Sequence, residues 1–385
     1  MKDSRFPHRR IAHLDMDMFF AGVELLRYPE LRGQAVVVGG RSAIQPRLLA
    51  SGQHQFARLR EYQGRGVVTT STYEARTLGV FSAMGLMKSA QLAPDAILLP
   101  ADFESYRHYS RLFKAAVAAI APQIENRGID EIYLDLSAIE EETEPLAQRL
   151  KNAVREATGL SCSIGIAANK LLAKIASDLD KPDGLTIIDA QVFRERIWPL
   201  PARKINGIGP KAAVKLEKLD IRTIADLAAA DLALLQEHFG PSYAQWLMQV
   251  AQGQDERPVV TSSIPKSMSR ETTFERDMQA QQDKRYLSTA FTALCERVAS
   301  DLQQKGYLGH TVGIKIKYQD FRTATRDLTL PSPTHDAAAI RRAAGICLKR
   351  VPLEQRFRLL GVKVSNLVRA DDIGSDIPEQ TSLFS

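Results

Sequence analysis

Apolar positions along this chain come in short runs that alternate between a period of two and a period near 3.6. Residues 11–20 (IAHLDMDMFF) read as a strand running into a helix that continues through 21–26. Positions two apart in a strand share a face, so Asp15 and Asp17 are expected to project together. Residues 36–40 and 66–70 read as further strands, separated at 41–65 by a polar, Arg- and Gln-rich loop with a marginal helix. Ser71 or Thr72 can cap a short helix that carries Tyr73 and Arg76 at i and i+3, where an arginine can meet a phosphate. Helical periodicity returns at 106–121 and at 146–157, and 162–166 reads as a strand. Between those helices lies a second acidic strand, 129–135 (IDEIYLD). Strand, helix, acidic strand pair, helix, strand is the order of a split βαβ, ferredoxin-like sheet.

The second half changes character. Residues 168–180 predict a helix with a buried stripe of Leu172, Ile175, Ala176 and Leu179, and with Lys170, Lys174 and Lys181 along a solvated face. Lys181-Pro182-Asp183-Gly184 stops it. Residues 205–213 (INGIGPKAA) place Gly207 and Gly209 in a turn between two helices, with Lys211 just beyond, and such a turn can hold a DNA phosphate. Polar residues 252–265 read as an interdomain linker. Strands follow in which Lys315, Lys317 and Lys363 alternate with apolar residues, and helices near 287–304 and 337–349 should cover the apolar side. This predicts a second α+β domain with a basic open face. From 341 to 369 Glu354 is the only carboxylate. An acidic stretch at 371–379 is expected to be disordered, and the apolar end, residues 380–385, reads as a docking peptide.

Composition adds bounds to this outline. The 385 residues suffice for several domains, and 44% hydrophobic with 25% charged residues is ordinary for a globular protein. A net charge of +6 and a pI near 9.1 suit a polyanionic partner. Cys162, Cys295 and Cys347 are isolated, which argues against a disulfide framework or a zinc site and fits a reducing cytoplasm. No apolar run reaches membrane-spanning length, so no membrane association is expected. Two acidic strands far apart in a basic chain favour a two-metal phosphoryl-transfer site, because hard divalent cations take carboxylate oxygens and share them with phosphates.

Taken in order, His13 to Phe20, Tyr73-Glu74-Ala75-Arg76, Asp130-Glu131, Lys181-Pro182-Asp183-Gly184 and Gly207-Ile208-Gly209 resemble the motifs of the Y-family, translesion DNA polymerases of the polymerase IV (DinB) type. The resemblance spans about residues 11–367. It implies an α+β, multidomain fold: a ferredoxin-like palm (1–17 and 100–190), fingers (18–99), and a helical thumb with a helix-hairpin-helix (191–252). A linker (253–265), an α+β little finger (266–369) and a flexible tail (370–385) complete it. It implies low-fidelity DNA-directed synthesis from dNTPs on primer–template DNA by a monomer that lacks proofreading. Asp15, Asp130 and Glu131, with the Met16 main-chain carbonyl, would hold two Mg2+. Strict alternation would separate Asp130 from Glu131, so that geometry requires Asp130 at the turn leading into its strand. Phe20 would be the steric gate against a ribose hydroxyl, with Phe19 beside it, and Tyr73, Arg76 and Lys181 would hold the triphosphate. Gly207, Gly209, Lys211, Lys315, Lys317 and Lys363 would contact DNA. Gln380, Leu383 and Phe384 would bind a sliding clamp. Three departures bear on the nucleotide pocket: Gly128 where the family has Ser, Gly85 where it has Pro, and the longer 41–65 segment. The rival reading is a catalytically inactive relative that scaffolds on DNA.

Overall fold

The computed structural model describes residues 9–40 and 44–373, and its chain divides after Ser262 into two compact units. In chain order the first unit carries strands β1 (Ile11–Met16), β2 (Val36–Gly39), β3 (Arg47–Leu48), β4 (His54–Gln55), β5 (Ala57–Arg58) and β6 (Val68–Ser71). Strands β7 (Ile97–Leu99), β8 (Ile124–Asn126), β9 (Glu131–Asp135), β10 (Cys162–Ala167) and β11 (Leu185–Ile188) follow. Its helices are α1 (Phe19–Arg27), α2 (Tyr73–Thr77), α3 (Leu86–Leu92), α4 (Phe103–Ala118), α5 (Thr143–Thr158), α6 (Lys170–Ser177), α7 (Ala190–Val192), α8 (Pro210–Glu217), α9 (Ile224–Ala229), α10 (Leu232–Phe239) and α11 (Pro241–Ala251).

The central sheet runs β11-β10-β1-β9-β8, with β1 antiparallel to both neighbours. Its four strands β10-β1-β9-β8 give the expected ferredoxin-like arrangement. The alternation written into β1 sorts its two faces. Ala12, Leu14 and Met16 join Ile132, Leu134, Ile164 and Ile166 in a core closed by Phe113, Val117, Leu146, Leu150 and Val154 of α4 and α5. On the other face Ile11, Tyr133 and Ala167 pack with Leu171, Leu172 and Ile175 of α6 and with the following helices. Helix α6 lies directly on the backbone of β10: a Cβ on Gly165 would overlap the Ala173 carbonyl and the Ser177 amide. A second sheet, β5-β7-β2-β6, carries α2 and α3 and holds the core of Val37, Leu59, Val68, Val80, Leu86 and Leu98.

Several local expectations change. Residues 44–65 form no marginal helix but a two-residue hairpin (β3, β4), an edge strand (β5) and one 3-10 turn, Leu59–Glu61. Before the Gly207 turn stands only a 3-10 turn, Ala202–Lys204, where a helix was expected. The stretch after α11 is docked on the central sheet: Asn169 Nδ2 donates to the Gly253 carbonyl (2.7 Å) and Lys170 Nζ to that of Pro258 (3.2 Å). The Val260 amide donates to Glu125 (2.9 Å) and the Leu171 amide to Asp255 (3.0 Å).

The second unit is one antiparallel sheet in the order β12 (Ser267–Met278), β15 (Phe357–Arg369), β13 (Tyr307–Tyr318), β14 (Thr323–Thr334). Helices α12 (Lys284–Gln304) and α13 (Ala337–Leu348) cover the face made by Val312, Ile314, Ile316, Val362 and Val364. Lys315, Lys317 and Lys363 lie on the opposite face, as the alternation predicts. That face is not simply basic: Lys315 pairs with Glu271 (2.8 Å) and Lys363 with Asp327 (3.4 Å). Residues 370–373, expected in part to be disordered, form a short helix α14 (Ala370–Ile373). Residues 380–385, the expected docking peptide, lie outside the described residues.

Candidate active site

Three turns of chain meet at the ends of β1 and β9. Asp15 is the next-to-last residue of β1 and pairs in register with Glu131, the first residue of β9. Asp130 stands one residue before β9, at the turn, and its carbonyl accepts from the Met16 amide (3.0 Å). Alternation inside β9 therefore does not govern where its side chain goes. Burial raises the Asp15 carboxyl, with Lys181 opposing and Asp130 reinforcing; burial and the charge of Glu131 also raise Asp130.

Asp17 lies beyond the strand. Its carboxylate is not an open ligand: it accepts from Ser161 Oγ (2.8 Å), Ser163 Oγ (2.7 Å) and the Asp183 amide (2.8 Å). It thereby braces the 181–184 turn from one side. Lys151 and Arg155 of α5 brace it from the other, through Asp183 at 3.0 and 2.6 Å. That turn delivers Lys181 Nζ to Asp15 (2.9 Å) and to Asp178 (2.7 Å).

The third turn is the start of α2. Thr72 caps it by accepting from the Ala75 amide (3.4 Å), and it ties the cap to the sheet by accepting from the Val36 amide (3.0 Å) and donating to the Gln34 carbonyl (3.0 Å). Arg76 stacks its guanidinium over the Tyr73 ring at 4.7 Å. Tyr73 Oη is the one buried side-chain polar atom among the described residues with no hydrogen-bond partner.

Asp15, Met16, Asp130, Tyr73, Arg76 and Lys181 line one cavity of about 130 Å3, bordered by Phe20. Phe20 stacks on Tyr106 with centroids 4.5 Å apart, and Tyr106 donates its hydroxyl to buried Glu24 (2.5 Å). Phe19 borders the cavity yet is a core residue, 2% exposed and edge-on to Phe113. Gly85 leaves open space at its Cβ, whereas a Cβ on Gly128 would come within 3.2 Å of an Asp130 oxygen.

Glu131 leans away from that cavity toward α6. Its Oε2 is ion-paired with Lys174 Nζ and lies 3.2 Å from His13 Nε2. His13, Asp15 and Glu131 present one ligand atom each within 4.8 Å of one another. Contact with His13 and the Lys174 ammonium hold the Glu131 carboxyl down at about 2, against the effect of burial, while burial lowers His13. Sequence reasoning missed His13 and misread Lys170 and Lys174: Lys170 is buried on Glu125 (2.5 Å), and Lys174 is part of the acidic cluster.

Farther along the first unit, Gly207 takes a positive φ of 114° and packs against Trp246 so closely that a Cβ would lie 2.6 Å from the ring. Tyr243 Oη donates to the Gly207 carbonyl (2.8 Å), so α11 holds the turn. Gly209 caps α8, and Lys211 is exposed. Among the described residues no helix is long and apolar enough to cross a membrane.

Comparison with known proteins covers most of the chain. The profile of the impB/mucB/samB family matches residues 14–178, that of its C-terminal domain matches 265–381, and that of the DNA polymerase-iota thumb domain matches 203–255. A DNA polymerase IV of Alkalilimnicola ehrlichii is 38% identical over 98% of this chain and 99% of its own. One from Streptomyces coelicolor is 38% identical over 93% of this chain and 71% of its own. Among solved structures, a Y-family DNA polymerase chimera, Dbh-Dpo4(243-245)-Dbh, matches with a TM-score of 0.76 at 26% identity, covering 94% of this chain and 99% of that one. On these matches the chain belongs to the impB/mucB/samB family, the Y-family of translesion DNA polymerases, and to its polymerase IV type.

Proposed function

We propose that the cavity beneath Phe20 is where this translesion polymerase, acting on DNA with dNTPs, carries out nucleotidyl transfer. The observation that carries the reading is the cavity itself: it joins two half-buried carboxylates to a lysine, an arginine and a tyrosine hydroxyl that has no protein partner. An unpaired buried hydroxyl costs stability unless a ligand completes it. The neighbours Lys181 and Arg76 favour an anionic ligand, and a triphosphate supplies the missing acceptors.

The donor set fits hard divalent cations. Asp15, Asp130, Glu131 and the Met16 carbonyl offer only oxygen, and partial burial with repulsion from neighbouring carboxylates destabilises the charged forms of Asp15 and Asp130 in a way that a cation relieves. These residues would hold two Mg2+, which when bound activate the primer 3′-hydroxyl and neutralise charge on the transferring phosphate. The rest falls to the chain. Lys181, now bridging Asp15 and Asp178, can pass to a phosphate once Asp15 is otherwise neutralised. Tyr73 and Arg76 grip the triphosphate from the start of α2. Phe20, backed by Tyr106, closes the sugar side of the cavity and excludes a 2′-hydroxyl by volume.

Around this core we read residues 1–17 and 100–190 as palm, 18–99 as fingers, 191–252 as thumb, 253–265 as linker, 266–369 as little finger and 370–385 as tail. The Gly207–Gly209 turn with Lys211, and the face carrying Lys315, Lys317 and Lys363, would track DNA phosphates. Gln380, Leu383 and Phe384 would engage a sliding clamp, and the enzyme would work as a cytoplasmic monomer. The test is Asp130→Ala: primer extension with Mg2+ should vanish while primer–template binding by anisotropy persists. Near-normal turnover would remove Asp130 from the catalytic set.

A further inference from the structure

Lys174 was expected on a solvated helix face, and it is instead the junction of a closed hydrogen-bond chain. Ser177 Oγ–H donates to the Lys174 carbonyl (2.9 Å), and the same oxygen lies 2.8 Å from His13 Nδ1. The other ring nitrogen of His13, Nε2, lies 3.2 Å from Glu131 Oε2 and 3.4 Å from Lys174 Nζ. The Lys174 ammonium donates to that same Glu131 Oε2, so lysine and imidazole both close on one carboxylate oxygen. Nothing in this chain is free to drift. His13 is fully buried and packs on Tyr133 with centroids 4.7 Å apart, Ser177 is 2% exposed, and α6 is pressed onto β10 at Gly165.

The geometry points to Lys174, seated by His13 and Ser177, as a positioning residue for Glu131. It withdraws Oε2 from the cation and leaves Oε1 as the single ligand atom, so that Glu131 binds through one oxygen in a fixed rotamer. This rests on the reading of Glu131 as a metal ligand. Surrounding groups of this kind orient metal-binding side chains, and their loss commonly slows turnover roughly 10- to 100-fold. Here the loss also has a direction. Removing an ammonium beside the cation site cannot weaken cation binding electrostatically, and it frees both Glu131 oxygens to bind. A bidentate Glu131 holds the cation well and in the wrong place.

Lys174→Met should therefore lower kcat for single-nucleotide insertion roughly 10- to 100-fold. Mn2+ affinity, read from the electron paramagnetic resonance of free Mn2+ with no substrate present, should be equal to or tighter than wild type. Lys174→Arg should recover most of kcat, and Ser177→Ala, which leaves every charge in place, should move both readouts in the same directions by less. In the pair Lys174→Met/Glu131→Gln the lysine change should cost nothing beyond Glu131→Gln alone. Unchanged kcat in Lys174→Met overturns the inference, and so does a parallel fall of kcat and Mn2+ affinity, the mark of general damage. Should Lys174→Met not fold, the same two criteria applied to Ser177→Ala decide. Glu131→Gln separates the two levels. Wild-type turnover and Mn2+ binding in that variant sink the reading of Glu131 as a ligand. A dead Glu131→Gln beside a normal Lys174→Met sinks only the positioning role.

Discussion

The buried Lys170–Glu125 pair gives a prediction that can be worked through in magnitude. The two side chains are 7% and 9% exposed and 2.5 Å apart. Lys170 also donates to the Pro258 carbonyl and lies 5.1 Å over the Tyr133 ring, and Glu125 also accepts the Val260 amide. Glu125→Ala leaves an ammonium enclosed without its counter-charge, a change that costs about 3–5 kcal/mol. For a unit of this size that is a fall of roughly 6–20 °C in Tm, at about 2–4 °C per kcal/mol. The pH dependence follows from the carboxyl. Burial by itself would raise Glu125, but the hydrogen bonds from Lys170 and Val260 outweigh it and hold the group below its ordinary value. A depressed carboxyl contributes stability that is complete above its unfolded pKa, near ~4.3, and is lost as pH falls through the folded value. Thermal melts of wild type and Glu125→Ala should thus differ fully at pH 7 and converge as the pH drops below about 4. Lys170→Leu/Glu125→Leu should regain most of the loss, because no charge is stranded. Hydrogen exchange at the Val260 amide should quicken in Glu125→Ala. A Tm gap that stays constant to pH 3, or single variants within about 1 kcal/mol of wild type, would refute the reasoning.

Three further outcomes are expected. Phe20→Val should admit ribonucleotides, measured as rNTP against dNTP insertion; unchanged rejection would move the gate elsewhere, and the buried position of Phe19 makes it a poor substitute. Tyr73→Phe should raise the KM for dNTP while leaving Tm unchanged or raised by an amount equivalent to about 1–2 kcal/mol, since the hydroxyl removed has no partner in the free protein. A fall in Tm would show that the hydroxyl is satisfied. Deleting residues 380–385 should leave unassisted primer extension intact and abolish its stimulation by a loaded sliding clamp, with equal stimulation of both forms counting against the docking peptide.

What could be read from the sequence was whatever depends on near neighbours. The faces of β1 follow from alternation, a cap at Ser71 or Thr72 follows from residue type, and the place of Asp130 before β9 came only with the family resemblance. What stayed hidden depends on partners far along the chain. Lys170 and Lys174 look like solvent residues until Glu125 and Glu131, about 45 positions earlier, are folded beneath them. Asp17 reads as a companion of Asp15 until Ser161, Ser163 and the Asp183 amide claim its oxygens. The 253–260 stretch has the composition of a tether, and only the acceptors and donors on β8 and α6 make it an adhered one. In the second unit the lysines of β13 and β15 are spaced as expected, but cross-strand carboxylates on β12 and β14 temper their charge.

The place of β1 in the middle of the central sheet governs how this protein must be made. It is synthesised well before both strands that hydrogen-bond to it, and β10 is complete only about 150 residues after β1 ends. At translation speeds of about 5–20 residues per second the nascent chain carries β1 without its β10 partner for roughly 8–30 s. During that interval an apolar strand with at least one open edge is a template for pairing with other chains. The first unit therefore cannot mature by accretion from β1 onward. It closes late and at once, when β9 and β10 flank β1 and bring the carboxylate turns together.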